Sequence, residues 1–274
     1  MTEPNQIEFL RKGAKTIRCL AMEMIGNAGS GHPGGALSAA EIMSVLFFGL
    51  MRLDPQNPQW EERARFVLSK GHGAAALYAA LSERGFFPRE ALKRFRQKDG
   101  ILQGHPDMRK VPGVDMTAGS LGQGLSAGLG MALAARLQGH SYRTYVLLGD
   151  GEIQEGQIWE AAMAAAHLKV DNLTAVLDYN DVQLDGPVHE VMEVAPVVDK
   201  WRAFRWEVVE CDGHNVSELL DAFEAARNTR GRPCIIVAHT NKGKGVSFME
   251  NTCEWHGVID PGKLPAALKE VQAL

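Results

Sequence analysis

Two short apolar runs, 145–148 and 173–177, flank a helix-length stretch, and each ends in a turn rich in oxygen ligands. The first leads into Gly-Asp-Gly with Asp150 at its centre. The second leads into Asp178, Tyr179 and Asn180. Runs this short and this apolar fit parallel strands that are buried on both faces. The 30 residues between Asp150 and Asn180 match one strand–helix–strand crossover. Two such strands would bring Asp150 and Asn180 to the carboxyl edge of one sheet, where open α/β sheets bind ligands. A carboxylate and an amide oxygen there suit a hard cation such as Mg2+, which takes octahedral oxygen ligands and shares them with phosphates. Val182 could add a main-chain carbonyl, which such a cation also accepts. Gly-Asp-Gly alone makes an ordinary turn, but with its second half the segment reads as a metal–diphosphate cradle.

The alternation extends through the rest of the chain. Helix 125–137, strand 144–148, helix 158–167 and strand 173–177 are followed by strand 207–211, helix 217–227 and strand 234–239. The first third reads as helical over 7–25, 39–51, 74–84 and 89–97, with a strand at 65–68, and the tail 261–274 as a short helix at most. This pattern predicts an α/β fold, a parallel sheet with helices on both faces. No repeat or linker divides the chain, so residues 1–274 are expected to form a single domain, long enough to bury a full core. A net charge of −4 and the lack of a basic stripe interleaved with aromatics argue against nucleic acid. The apolar stretch 42–51 is too short and too interrupted to span a bilayer, and residues 1–15 lack the apolar core of a signal peptide. Cys19, Cys211, Cys234 and Cys253 are scattered without a C-x-x-C pair, which points away from zinc and disulfides and towards a reducing cytoplasm.

Four of the nine histidines sit in Gly-rich turns: His32 in SGHPGG, His72 in SKGHG, His105 in QGHPD and His256 in EWHG. Glycine permits sharp turns and close approach of a ligand, and histidine there is a candidate for proton transfer near neutral pH. Any one alone is more simply a turn histidine with a local hydrogen bond. Four beside a metal–diphosphate signature point to one site. His140, His167, His189, His214 and His239 lie on helices, in polar loops or at a strand end and are read as structural. Lys70 in SKGHG and Lys242 and Lys244 in TNKGKG follow strands among glycines, where a lysine can neutralise phosphate as a point charge. The run TAGSLGQGLSAGLG is not the dinucleotide fingerprint, and close packing of a helix on a sheet accounts for its glycines. Glu155 opens the helix after Gly-Asp-Gly, as a first-turn acid or as a buried carboxylate.

From 11 to 257 the chain resembles the N-terminal, diphosphate-binding part of the transketolases, which are thiamine-diphosphate enzymes. SGHPGG, FVLSKGHG, GHPD, TAGSLGQG, GDGEIQEGQIWEAA, DYNDVQLDG, NKGKG and EWHG occur in that family's order and approximate spacing. The resemblance implies a thiamine-diphosphate-binding fold and assigns Asp150, Asn180 and the Val182 carbonyl to Mg2+ (or Ca2+). It puts Gly151 on the diphosphate with Lys70 and Lys242 nearby, and Gly119, Ser120 and Leu121 around the aminopyrimidine. His32, His72, His105 and His256 would face the thiazolium and the sugar. Of these, His105 would hold the donor's C1 hydroxyl, and His32 and His256 would handle the C3 hydroxyl proton. Glu155 matches a carboxylate that links paired active sites. Gly35 departs from relatives that carry a substrate-contacting side chain at that position.

Full transketolases continue into pyrimidine-binding and C-terminal domains, and the former carries the glutamate that activates the cofactor. The resemblance therefore implies the N-terminal subunit of a split transketolase, which forms a heterotetramer with its pyrimidine-domain partner chain. It would move a two-carbon unit from a ketose phosphate to an aldose phosphate in the pentose phosphate pathway. The alternatives are a relative acting on a sulfonated or deoxy sugar and a non-catalytic assembly subunit.

Overall fold

The computed structural model describes residues 4–257 and 260–274. Residues 1–3 of the start-of-chain reading and residues 258–259 of the expected domain lie outside the described residues. Helix α1 (Pro4–Ala28) buries Leu10, Ala14, Ile17, Ala21 and Ile25, the spacing of one helical face. The helix expected over 39–51 begins earlier and is broken. α2 (Pro33–Ser38) starts directly after His32, α3 (Ala40–Ser44) follows, and a π-helical turn spans Val45–Leu50. Proline's fixed φ suits the first position of a helix, so SGHPGG runs into a helix, with His32 at the position before Pro33 and its side chain free of any capping bond.

The remaining elements are β1 (Arg65–Leu68), α4 (Ala74–Glu83), α5 (Gln123–Gln138), β2 (Thr144–Gly149), α6 (Gly156–His167) and β3 (Leu173–Tyr179). After them come α7 (Val188–Val191), α8 (Val197–Ala203), β4 (Glu207–Asp212), α9 (Val216–Asn228), β5 (Cys234–His239) and α10 (Leu264–Ala273). The expected helix over 89–97 is instead a 3-10 helix, Arg89–Arg94, which buries only Leu92. Without an apolar stripe to pack, a short segment has little to hold it as an α-helix. The tail forms α10, whose Ala267 and Val271 are buried, and Leu264 occupies the space left by Gly26 of α1.

All five strands are parallel, in the order β1-β2-β3-β5-β4. Val67, Val146, Leu148, Leu177 and Val237 share one core with Leu125 of α5, Ile158 of α6 and Trp201 of α8. Phe66, Leu68, Leu147, Val176 and Ile236 point the other way, to Ile17 of α1, Ile42 of α3, Leu77 of α4 and Leu219 of α9. Both faces are thus covered, as the continuous apolar runs require. Each such side chain contributes roughly 1.5–3 kcal/mol by leaving water. Helix α5 lies close against the sheet: a Cβ on Gly128 would come within 2.3 Å of Val146, and one on Gly124 within 2.3 Å of Ser69. Those two glycines are packing residues. Among the described residues no helix is long and apolar enough to cross a membrane, and all four cysteines are free thiols.

Candidate active site

Strands β2 and β3 pair in parallel with Gly149 opposite Asp178, so the turns that follow leave the sheet side by side. Asp150 is buried there. One of its oxygens accepts the Gly151 N–H at 2.8 Å; the other accepts the N–H groups of Asn180 at 2.8 Å and Asp181 at 2.5 Å. The Asn180 side-chain oxygen accepts the Val182 N–H at 3.2 Å, and the Val182 carbonyl accepts from Lys242 Nζ at 2.8 Å. The three oxygen donors named from the sequence therefore stand together. Burial, and then the nearby Asp178 carboxylate, push the Asp150 carboxyl up to about 6.

Two buried carboxylates that the sequence did not single out support this edge. Asp178, at the end of β3, pairs with Lys70 and accepts from Ser38 Oγ at 2.6 Å and from Thr240 Oγ1. Burial would raise its pKa, but the Lys70 ammonium and these hydrogen bonds hold it below the usual range. Lys70 also donates to the Gly35 carbonyl at 2.9 Å, so its charge is committed to the protein. Glu152 accepts from Ser69 Oγ and from the N–H groups of Gly122 at 2.9 Å and Gly149 at 3.1 Å. It ties the TAGSLGQG turn to the Gly-Asp-Gly turn. A polar residue on an otherwise apolar strand was the only available signal for Asp178, and Glu152 had none.

The four turn histidines cluster. His32 lies with its ring centroid 5.6 Å from His72, 6.0 Å from His105 and 5.4 Å from His256, and His72 is 5.3 Å from His256. Burial and then Arg96 lower His32 to about 4, and burial and then Lys242 lower His256 to about 3. Burial drives His72 well below its ordinary value, and burial with Arg96 lowers His105. All four shifts disfavour the charged, imidazolium form. Arg96, which donates to Ser30 at 2.5 Å, is the cation sequence reasoning passed over here. His214, read as structural, bonds Glu41 at 3.0 Å and accepts from the Asn241 N–H at 2.8 Å.

A cavity of about 260 Å³ opens at this edge, lined by Lys70, His72, Leu121, Asp150, Gly151, Glu155, Asn180, Val182, Lys242 and His256. His32 and His105 adjoin it through the ring contacts, while a Cβ on Gly119 would lie 3.7 Å from the His105 ring and Ser120 is exposed beside it. Glu155 is exposed at the start of α6, after a 3-10 turn Glu152–Gln154. Gly35 faces inward, where a Cβ would lie 3.0 Å from the His72 ring, so a side chain there would crowd His72 before reaching open space. Lys244 pairs with Glu250 at 3.9 Å, away from the cavity lining.

The residues present fit a cation with a diphosphate. The raised Asp150 marks a buried carboxylate short of positive charge, which a divalent ion would relieve. Among the described residues no group of three or more His, Cys, Asp or Glu side chains could hold a metal. A cation here would therefore draw on one carboxylate, one amide and a main-chain oxygen, a hard-ion set completed by phosphate. Lys242, 3% exposed, is lowered to about 8 by burial and then by Lys70, and an arriving anion would stabilise its charge.

A solved transketolase mutant from Pichia stipitis has the same fold, with a TM-score of 0.91 at 34% identity over 97% of this chain and 40% of its own. The architecture is thus that of the thiamine-diphosphate-binding α/β enzymes. The family described as transketolase, thiamine diphosphate binding domain, matches residues 10–266. The chain belongs to this transketolase family, and its chemistry is thiamine-diphosphate-dependent ketol transfer. It is 49% identical, over 91% of its length and 90% of the relative's, to a 6-deoxy-6-sulfo-D-fructose transketolase subunit of Clostridium sp. (strain MSTE9). It is 42% identical to an apulose-4-phosphate transketolase subunit of Phocaeicola vulgatus, covering 97% of this chain and 95% of that one.

Proposed function

We propose that this chain is the diphosphate-binding subunit of a split transketolase and forms the active heterotetramer with a separate pyrimidine-domain chain. In this reading it moves a two-carbon unit from a ketose phosphate to an aldose phosphate. The observation that carries the reading is the convergence of Asp150, Asn180, the Val182 carbonyl and Lys242 beside four imidazoles at one sheet edge. The two relatives described as transketolase subunits support a division of the enzyme between chains. The single sheet supports reading residues 1–274 as one diphosphate-binding domain. The free thiols are consistent with a cytoplasmic enzyme.

Asp150, Asn180 and Val182 would hold Mg2+ (or Ca2+) and orient the diphosphate. Gly151 would let the phosphate approach the backbone closely, with Lys242 supplying charge and Lys70 fixing Asp178 behind it. Leu121, with Gly119 and Ser120, would flank the aminopyrimidine. When bound, thiamine diphosphate supplies the electron sink for cleavage between C2 and C3 of the donor. His32 and His256, kept neutral, would accept the C3 hydroxyl proton as that bond breaks, and His105 would hydrogen-bond the C1 hydroxyl. His72 would line the thiazolium side of the cavity, and Glu155, exposed at its mouth, would face the paired site.

These residues address the cofactor and the first three carbons, so they serve equally a donor that ends in phosphate or in sulfonate. The 49% identity to the sulfofructose relative favours a sulfonated ketose as the second reading. The test is purification with the pyrimidine-domain chain, followed by assay with a ketose phosphate and with 6-deoxy-6-sulfofructose. The chain alone should be inactive and the complex active. Full activity without a partner would overturn the two-chain reading, and transfer from neither donor by a cofactor-saturated complex would overturn the substrate assignment.

A further inference from the structure

Three consecutive residues after β5 are anchored in three ways. Thr240 donates to Asp178, the Asn241 N–H donates to His214 Nε2 at 2.8 Å, and Lys242 Nζ donates to the Val182 carbonyl at 2.8 Å. The middle anchor belongs to a chain of buried polar groups that the proposed reaction does not use. Arg18 of α1 pairs with both oxygens of Glu41 at 2.5 Å each and donates through Nε to the Leu37 carbonyl of α2 at 3.2 Å. Glu41 then contacts His214 Nδ1 at 3.0 Å, and the side chains of Arg18, Glu41 and His214 are 3%, 10% and 12% exposed. Because Nε2 accepts the Asn241 N–H, it carries no proton. Nδ1 must therefore carry it and donate to Glu41. Only that neutral tautomer satisfies both neighbours, and Arg18 supplies the charge that Glu41 would otherwise seek from the imidazole.

We infer that His214 is a positioning residue: its bare Nε2 fixes the Asn241 amide and so aims Lys242 at the diphosphate site. The inference rests on the reading of Lys242 as the lysine nearest the phosphates. The residues around it are held by the backbone, with the Thr240 N–H on the Tyr179 carbonyl at 3.0 Å, the Gly243 N–H on the Gly34 carbonyl at 3.0 Å and the Asn251 N–H on the Lys242 carbonyl at 2.9 Å, whereas the Asn241 N–H is met by the His214 side chain. Without His214 as acceptor, the Asn241 N–H is left unsatisfied in a half-buried site, and the segment shifts to satisfy it.

Two substitutions separate this role from mere support of Glu41. His214→Gln places an oxygen near the Nε2 position and keeps the acceptor, whereas His214→Asn places an amide near Nδ1 and keeps only the contact with Glu41. Amide hydrogen exchange over 241–243 and titration with inorganic pyrophosphate in Mg2+ are the readouts, on the full chain. His214→Asn should speed exchange there and weaken pyrophosphate roughly tenfold, and His214→Gln should stay within about twofold of the wild type on both. Equal behaviour of the two variants, or Gln worse than Asn, overturns the inference. Should His214→Asn fail to fold, imidazole 15N shifts of the wild type decide the matter, because a protonated Nε2 overturns it equally. Exchange and tautomer readouts need no ligand. Wild-type protein that ignores pyrophosphate while they hold would therefore sink the diphosphate reading and leave the anchor itself established.

Discussion

At the scale of single residues, the site is a balance between buried charge and the groups available to meet it. Asp150 is 3% exposed and stands near a second buried carboxylate, and three backbone N–H groups only partly offset this. Such a carboxylate is a strong partner for a divalent ion. Asp150→Ala should therefore abolish the Mg2+-dependent part of thiamine diphosphate binding, weakening it by roughly a hundredfold or more. Calorimetric titration at fixed Mg2+ checks this, and an unchanged Kd would remove the cradle. Asp150, Asn180 and the four turn histidines were legible because Gly-rich turns after apolar runs are local signals. Lys70 was legible as a residue but not as a partner, since Asp178 lies 108 positions away.

At the scale of elements, periodicity located the strands well because a strand buried on both faces needs little beyond its own apolar side chains. It failed where docking decides the outcome. Segment 89–97 carries helix-forming residues, yet its 89–94 part buries only Leu92 and tightens into a 3-10 helix. The glycines of α5 are explained by approach to the sheet, which no spacing in the sequence measures. Gly128→Ala should push α5 from β2 and destabilise the chain by about 1–3 kcal/mol, the usual cost of overpacking. Urea unfolding checks this; a midpoint equal to the wild type would mean that Val146, 2.3 Å from the added methyl, moves aside freely.

At the scale of the whole molecule, the neutral histidines and the buried ion pairs make stability depend on pH. His32 at about 4 and His256 at about 3 refuse protons that the unfolded chain accepts near 6.5, so stability is full above that value and falls as the pH drops towards 4. Burial alone would raise Glu41, but Arg18 and His214 hold it at about 2, so its contribution is lost further down, between about 4.5 and 2. The ligand-free chain should melt on the order of 10 °C lower at pH 4 than at pH 7. A flat Tm profile in differential scanning calorimetry would contradict the burial of these groups.

The sequence by itself determined the parallel α/β architecture, the edge at which Asp150 and Asn180 gather and the family, because these rest on local runs, turns and ordered motifs. Tertiary structure alone decided which charges meet: Lys70 with Asp178, Glu152 with the N–H groups of two turns, and Glu41 with His214 across 173 positions. It also decided that burial disfavours the charged form of the four imidazoles. The physical reason is that hydrophobic periodicity is set residue by residue against water. The energy of a buried polar group depends on what another element places within about 3 Å of it.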